Sequence, residues 1–158
     1  MSLSDIKVAW IGAGKMGGPM SRCAIGACAS LTVSDPVAAN IEAVVAAGGV
    51  AAASNQGAVA GADIVVSMIP NDAVLKAITI GGDGIFSQLA SGTIYVDMST
   101  VSPETSADVA KAAAAAGIAY LRAPVSGSTA LAEAGNLTIM VSGPKDAADR
   151  CDELFDAM

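Results

Sequence analysis

Three glycines at fixed spacing, in Gly12-Ala13-Gly14-Lys15-Met16-Gly17, form the pattern G-x-G-x-x-G. Directly before it runs the apolar segment Ile6–Ile11, and directly after it comes an amphipathic pattern beginning at Met16. A glycine triplet between a strand and a helix can hold a pyrophosphate. The first glycine makes the tight turn, the second lets the backbone approach the phosphates, and the third lets helix and strand pack closely. The unpaired N–H groups and positive dipole end of the helix complete an anion site. Lys15 is read only as a member of this loop. Asp35 stands 18 residues beyond Gly17, close to the ~20 at which an acid receives the hydroxyls of an adenosine ribose. With Pro36 after it, Asp35 also opens the next helix. A 2′-phosphate within ~4 Å of that carboxylate would be repelled by about 4 kcal/mol at an effective dielectric near 20. The expected cofactor is therefore NAD rather than NADP.

The elements that must position these groups follow an alternating rhythm of β-branched runs and alanine-rich amphipathic stretches. Ile6–Ile11, Leu31–Val33, Ile64–Ile69 and Thr93–Asp97 are nearly continuous in apolar residues, as parallel strands covered on both faces are. Val50–Ala52 and Ala119–Leu121 are weaker strand signals, and Leu137–Val141 suggests a further strand, antiparallel at the sheet edge. Helices are expected at Met16–Ala29, Val37–Ala47, Gln56–Ala60, Ala73–Ile78, Pro103–Ala116 and Lys145–Ala157. Ser102-Pro103 has the chemistry of a helix start, and Gly48 and Gly117 that of helix ends. The expected architecture is α/β: a Rossmann-type, doubly wound, mostly parallel sheet with helices on both faces, formed as one dinucleotide-binding domain over residues 1–158.

Composition narrows the chemistry. The 158 residues are 53% hydrophobic, 15% charged and 3% aromatic, with a net charge of -7, so a core must be built largely from small side chains. The longest uncharged stretch, Ala43 to Ala62, is interrupted by four glycines and by Ser54-Asn55-Gln56, unlike the ~20 apolar residues of a membrane span. No basic and apolar leader opens the chain, and a cytoplasmic location is expected. Acidity with few aromatics speaks against nucleic acid as a partner. There is no histidine, and Cys23, Cys28 and Cys151 lack metal-ligand spacing. No metal site is expected, and the cysteines read as reduced, partly buried thiols. Dehydrogenases that use a histidine acid/base are excluded. Reductases with a lysine four residues after a tyrosine are excluded too, because Ser99 follows Tyr95 and Pro124 follows Tyr120 at that spacing.

Three segments in order make the chain similar to a known family. They are Val8-Ala9-Trp10-Ile11-Gly12-Ala13-Gly14-Lys15-Met16-Gly17-Gly18-Pro19-Met20, then Asp97-Met98-Ser99-Thr100-Val101-Ser102-Pro103, then Ala123-Pro124-Val125-Ser126-Gly127-Ser128 continuing through Ala134-Gly135-Asn136-Leu137-Thr138-Ile139-Met140 to Ser142-Gly143. Together they resemble the N-terminal domain of the β-hydroxyacid dehydrogenases, the family of 3-hydroxyisobutyrate and 6-phosphogluconate dehydrogenases.

The resemblance implies hydride transfer between nicotinamide and a short 3-hydroxy acid. It also implies that Ile69, Pro70 and Val74 flank the cofactor, that Thr100 lies near the nicotinamide ribose, and that Ser126, Gly127 and Ser128 hold the substrate carboxylate. Arg122 stands where the family often has an acid, and Ser128 where it usually has a second glycine. In the family the catalytic lysine, an all-helical domain and the contacts of a homo-oligomer lie beyond this point, so no catalytic residue is expected within the chain and little turnover from it alone. Two alternatives remain open: a non-catalytic dinucleotide-binding or redox-sensing module, and an NADP-dependent glyoxylate or imine reductase.

Overall fold

A computed structural model describes residues 3–158. Six parallel strands form the main sheet: β1 (Lys7–Ile11), β2 (Ser30–Ser34), β3 (Val50–Ala51), β4 (Ile64–Ser67), β5 (Ile94–Asp97) and β6 (Ala119–Arg122), in the order β3-β2-β1-β4-β5-β6. All six expected strands are present, including the two weakly signalled ones. The strand order reverses between β1 and β4, and there the carboxyl ends of a doubly wound sheet leave a crevice.

Alternation along the strands divides the core into two layers. Val8, Trp10, Leu31, Val33, Val66 and Val96 project to one face, where α1 (Gly17–Ile25) and α2 (Ala38–Ala46) cover them with Met20, Ala24, Ile41 and Val44. Ala9, Ile11, Val65, Tyr95 and Tyr120 project to the other, under α3 (Asn55–Val59), α4 (Asp72–Thr79) and α5 (Pro103–Ala115). Every residue of β4 and β5 is buried, which is why those runs are apolar without alternation. The sequence reading of helices on both faces therefore holds.

Local chemistry fixes where several helices begin and end. The hydroxyl of Ser102 accepts the Thr105 N–H ahead of Pro103 at the first turn of α5, and Asn71 accepts the Val74 N–H to start α4. Gly117 ends α5 with φ near 72°, a conformation open to glycine at no steric cost.

The C-terminal third departs from expectation. Leu137–Val141 shortens to β8 (Thr138–Ile139), which pairs antiparallel with β7 (Val125–Ser126) in a separate two-stranded sheet. An isolated antiparallel bridge between Arg122 and Ser142 ties this segment to the main sheet. A helix that the sequence pattern did not suggest, α6 (Thr129–Glu133), starts on Ser128, whose hydroxyl accepts the Leu131 N–H. The expected helix Lys145–Ala157 is two, α7 (Lys145–Asp149) and α8 (Asp152–Asp156). They part where the Cys151 N–H closes a tight turn on the Ala148 carbonyl, and the break lets Ala147, Cys151 and Leu154 all reach the core. Likewise α1 stops at Ile25, four residues before its expected end.

Trp10, fully buried, is the largest side chain of the core and donates its indole N–H to the Gly12 carbonyl at 3.0 Å. Trp10→Phe should lower unfolding free energy by about 1–3 kcal/mol, the cost of leaving a buried acceptor unmade. Urea melts would register it as a lower midpoint at unchanged slope, and a shift below ~0.5 kcal/mol would count against this role.

Candidate functional site

A cleft of about 820 Å³ opens at the carboxyl ends of the strands, where the order reverses. Gly12, Gly14, Lys15, Met16 and Gly17 form its floor, Ser34, Asp35, Asn40 and Asn55 one wall, and Met68, Ile69, Pro70, Val74 and Ile78 the other. Nine of the eleven residues expected to hold a cofactor thus line one cavity. Of the other two, Ala13 lies just beneath the loop and gives its N–H to Asp35 at 2.8 Å, and Thr100 stands exposed on the loop after β5. Ser126, Gly127 and Ser128 are exposed and lie outside this cleft. Gly127 has φ near 149°, and a Cβ on it would come within 2.7 Å of Leu137.

The three loop glycines separate by what a side chain would meet. Gly12 has φ near 92°, and a Cβ on it would overlap the Met68 carbonyl oxygen. A Cβ on Gly17 would overlap the Gly12 carbonyl oxygen. A Cβ on Gly14 would meet nothing within 4 Å. The first and third glycines are therefore demanded by the packing of β1, β4 and α1. The second is demanded by nothing inside the protein, and the space above it belongs to the cleft. Helix α1 begins beside that space with Met16 at its N-cap position and no side-chain cap, unlike α3, α4, α5 and α6, which Ser54, Asn71, Ser102 and Ser128 cap.

Asp35 is held rather than free. Its Oδ2 accepts the Ala13 N–H at 2.8 Å, while Oδ1 accepts the Val37 N–H at 2.8 Å and the Asn40 amide at 3.1 Å. Three of about four acceptor positions on the carboxylate are used. The side chain orders the start of α2 and lines the cleft. Sequence reasoning missed Ser34, Asn40 and Asn55, where the Ser34 hydroxyl donates to Asn55 Oδ1 at 2.9 Å. No spacing rule flags such residues, which meet only because β2, α2 and α3 converge.

Across the sheet, Asp97 is 2% exposed and makes no salt bridge among the described residues. Its Oδ1 accepts the Ser67 hydroxyl at 2.9 Å and the Ser99 N–H at 3.2 Å. Burial raises its pKa above the usual carboxylate range, and the hydrogen bonds from Ser99 and Ser67 oppose that rise. Tyr95, on the same strand, is fully buried with its hydroxyl unpartnered, and burial holds its pKa well above normal. Tyr120 instead shares a hydrogen bond with Ser106 at 3.1 Å, and Arg122 donates its Nε–H to the same Ser106 oxygen. Arg122 also stacks over the Tyr120 ring at 5.4 Å. Neither tyrosine reaches the cleft. Among the described residues no group of three or more His, Cys, Asp or Glu could hold a metal, and no helix is long and apolar enough to cross a membrane. The three cysteines are free, with Cys23 and Cys28 half-buried and Cys151 buried.

Fold and cleft together define a dinucleotide-binding α/β domain. The chain belongs to the family of the NAD binding domain of 6-phosphogluconate dehydrogenase, whose model matches residues 7–158. It is 41% identical over 152 residues to the NAD-dependent L-serine dehydrogenase of Pseudomonas aeruginosa, covering 96% of this chain and 51% of that protein. It is 43% identical over 137 residues to the 2-(hydroxymethyl)glutarate dehydrogenase of Eubacterium barkeri, covering 87% and 46%. Its fold superimposes with a TM-score of 0.91 on Mycobacterium tuberculosis 3-hydroxyisobutyrate dehydrogenase solved with L-serine, at 30% identity, covering 98% of this chain and 52% of that one. The chain spans about half the length of each.

Because the folded pKa of Asp97 lies above the ordinary aspartate value of 3.8, the folded protein binds the proton more tightly than the unfolded chain does. Stability attributable to this group is therefore lost as pH rises from 3.8 through the raised pKa. Asp97→Asn keeps an acceptor for Ser67 and Ser99 without the buried charge. Relative to the parent, the variant should gain stability as pH rises through that window. Urea midpoints at several pH values test this, and a constant difference would contradict it.

Proposed function

We propose that this chain is the NAD-binding half of a dehydrogenase that moves a hydride between nicotinamide and the alcohol carbon of a short 3-hydroxy acid. The observation that carries the cofactor part is the open space over Gly14. A cradle that a Cβ would enter, beside an uncapped helix start and facing an acid with one acceptor position left, fits a pyrophosphate and its ribose. The backbone of the loop and the first turn of α1 would hold the phosphates, Lys15 would add a positive charge at the rim, and Asp35 would accept a ribose hydroxyl. Ile69 and Pro70 would line the opposite half, with Thr100 close to it, and Val74 would flank the adenosine side. Bound there, the cofactor supplies the hydride acceptor.

The named substrates of the relatives support the substrate class. L-serine, 3-hydroxyisobutyrate and 2-(hydroxymethyl)glutarate all carry a primary alcohol one carbon from the carbon that bears the carboxylate. The exposed turn at Ser126, Gly127 and Ser128 offers hydroxyl and backbone N–H donors of the kind that bind a carboxylate strongly. The Ser128 oxygen is occupied in accepting from α6, but its own proton remains to donate. Among residues lining the cleft, only Lys15 and Asp35 titrate, and each is engaged by the phosphate or ribose end. The proton of the alcohol is thus left to a group outside this cleft, in keeping with relatives about twice as long, and the parent enzyme would be a homo-oligomer of such full-length chains.

Two experiments test this reading. Calorimetry should show NAD binding more tightly than NADP, with the preference reduced in Asp35→Asn, and tighter binding of NADP by the parent chain would defeat the assignment of Asp35. The glycines should dissociate two properties. Gly14→Ala should leave stability within about 1 kcal/mol, since its backbone is unstrained, yet weaken NAD about tenfold or more. Gly12→Ala should cost more than about 2 kcal/mol of stability through strain and overlap. Equal stability losses in the two variants would remove the argument from the open space.

A further inference from the structure

The loop after β4, which walls the cleft, is tied to the loop after β5, not merely adjacent to it. The Ile69 N–H, at the cleft wall, donates to the Ser99 hydroxyl oxygen at 2.8 Å. The Ser99 N–H donates in turn to Asp97 Oδ1 at 3.2 Å, and the same oxygen accepts the Ser67 hydroxyl at 2.9 Å. Ser67, Asp97 and Ser99 are each 4% exposed or less. A second tie lies one turn outward, where Asp72 at the start of α4 accepts the Ser102 N–H at 2.9 Å and the Thr105 hydroxyl at 3.0 Å. Nothing comparable is needed on the β1 and β2 side, where backbone packing around Gly12 and the three bonds to Asp35 set the geometry.

We infer that Ser99, held by Asp97, is a positioning residue that fixes the Ile69-Pro70 backbone and with it the half of the cleft that receives nicotinamide. The inference rests on the cofactor reading above, in which the dinucleotide lies across the reversal of strand order with its adenosine half over β1 and β2 and its nicotinamide half over β4 and β5. Ser99 touches no ligand in this scheme. It acts through the one amide it accepts from and through Thr100, its chain neighbour. The buried carboxylate is the anchor because one of its oxygens takes donors from the end of β4 and from the loop after β5.

The test separates the two halves of the ligand. NAD and ADP are titrated by calorimetry into the parent chain, Ser99→Ala, Asp97→Ala and Asp97→Asn, each first shown folded by its urea transition. Ser99→Ala and Asp97→Ala should weaken NAD roughly tenfold, the scale of an orphaned amide, while ADP binding stays within about twofold. Asp97→Asn, which keeps the acceptor, should retain most of the NAD affinity. If Asp97→Ala does not fold, Ser99→Ala against Asp97→Asn still decides. Parallel losses of NAD and ADP, or no loss of NAD in Ser99→Ala, overturn the positioning role while leaving the cofactor reading in place. A parent chain that binds neither ligand overturns the cofactor reading and this inference with it.

Discussion

The architecture turns on a place where three stretches of backbone meet with no side chain between them. Gly12 lies against the Met68 carbonyl at the end of β4, and Gly17 lies against the Gly12 carbonyl at the start of α1. The indole of Trp10 holds that same carbonyl from the core side, and the Gly12 N–H reaches the Ser34 carbonyl at the end of β2. The first loop is thereby pinned to both neighbours of β1 at once. A methyl group at either glycine would push α1 off the sheet or β4 away from β1, so the crevice and the fold share one constraint.

That constraint explains why the chain can be so poor in aromatic residues. Close approach of helix to sheet leaves room only for small side chains, and Ala13, Ala24, Ala58, Ala113 and Ala132 are all buried at the contact layers. Three of the five aromatic rings gather away from the loop, where Phe86 meets Tyr95 edge-on at 5.1 Å and Tyr95 stacks with Tyr120 at 6.0 Å. The Tyr95 hydroxyl has no hydrogen-bond partner among the described residues, so that ring serves the core through packing alone.

Where a local rule has one dominant cause, the sequence was legible. The glycine loop, the six parallel strands, the cap at Ser102 and the position of Asp35 each follow from a short segment whose residue types have a single good explanation. The C-terminal third was not legible for the opposite reason. Between Ser128 and Met158 the elements are five residues or shorter, too short for periodicity to register, and their boundaries are set by which face meets the core. The pattern over Lys145–Ala157 looked like one helix because alanine and charged residues suit any helical turn. The buried position of Cys151 at the break is a tertiary fact. Asp97 shows the same limit on the site side. Its motif was visible, but a strand-end aspartate capping a turn and an aspartate bracing two loops have the same sequence.

The two halves of the cleft are built on different physical principles, and this governs how each can vary. On the β1 and β2 side, geometry is set by backbone contacts around Gly12 and by one carboxylate held by three donors. On the β4 and β5 side, geometry is carried by side-chain hydrogen bonds among Ser67, Asp97 and Ser99, buried and therefore strong when satisfied and costly when broken. Beyond them Thr100 and the turn at Ser126 to Ser128 are exposed, and their residues can change at little cost to the core. Arg122 and Ser128, the two positions that depart from the pattern the chain resembles, lie in this second region. Each has found a structural use here, one on Ser106 and Tyr120 and the other as the cap of α6. Divergence in such a domain is thus channelled toward the exposed turns beyond β5 and β6, while the glycine loop is held fixed by packing that tolerates no side chain at Gly12 or Gly17.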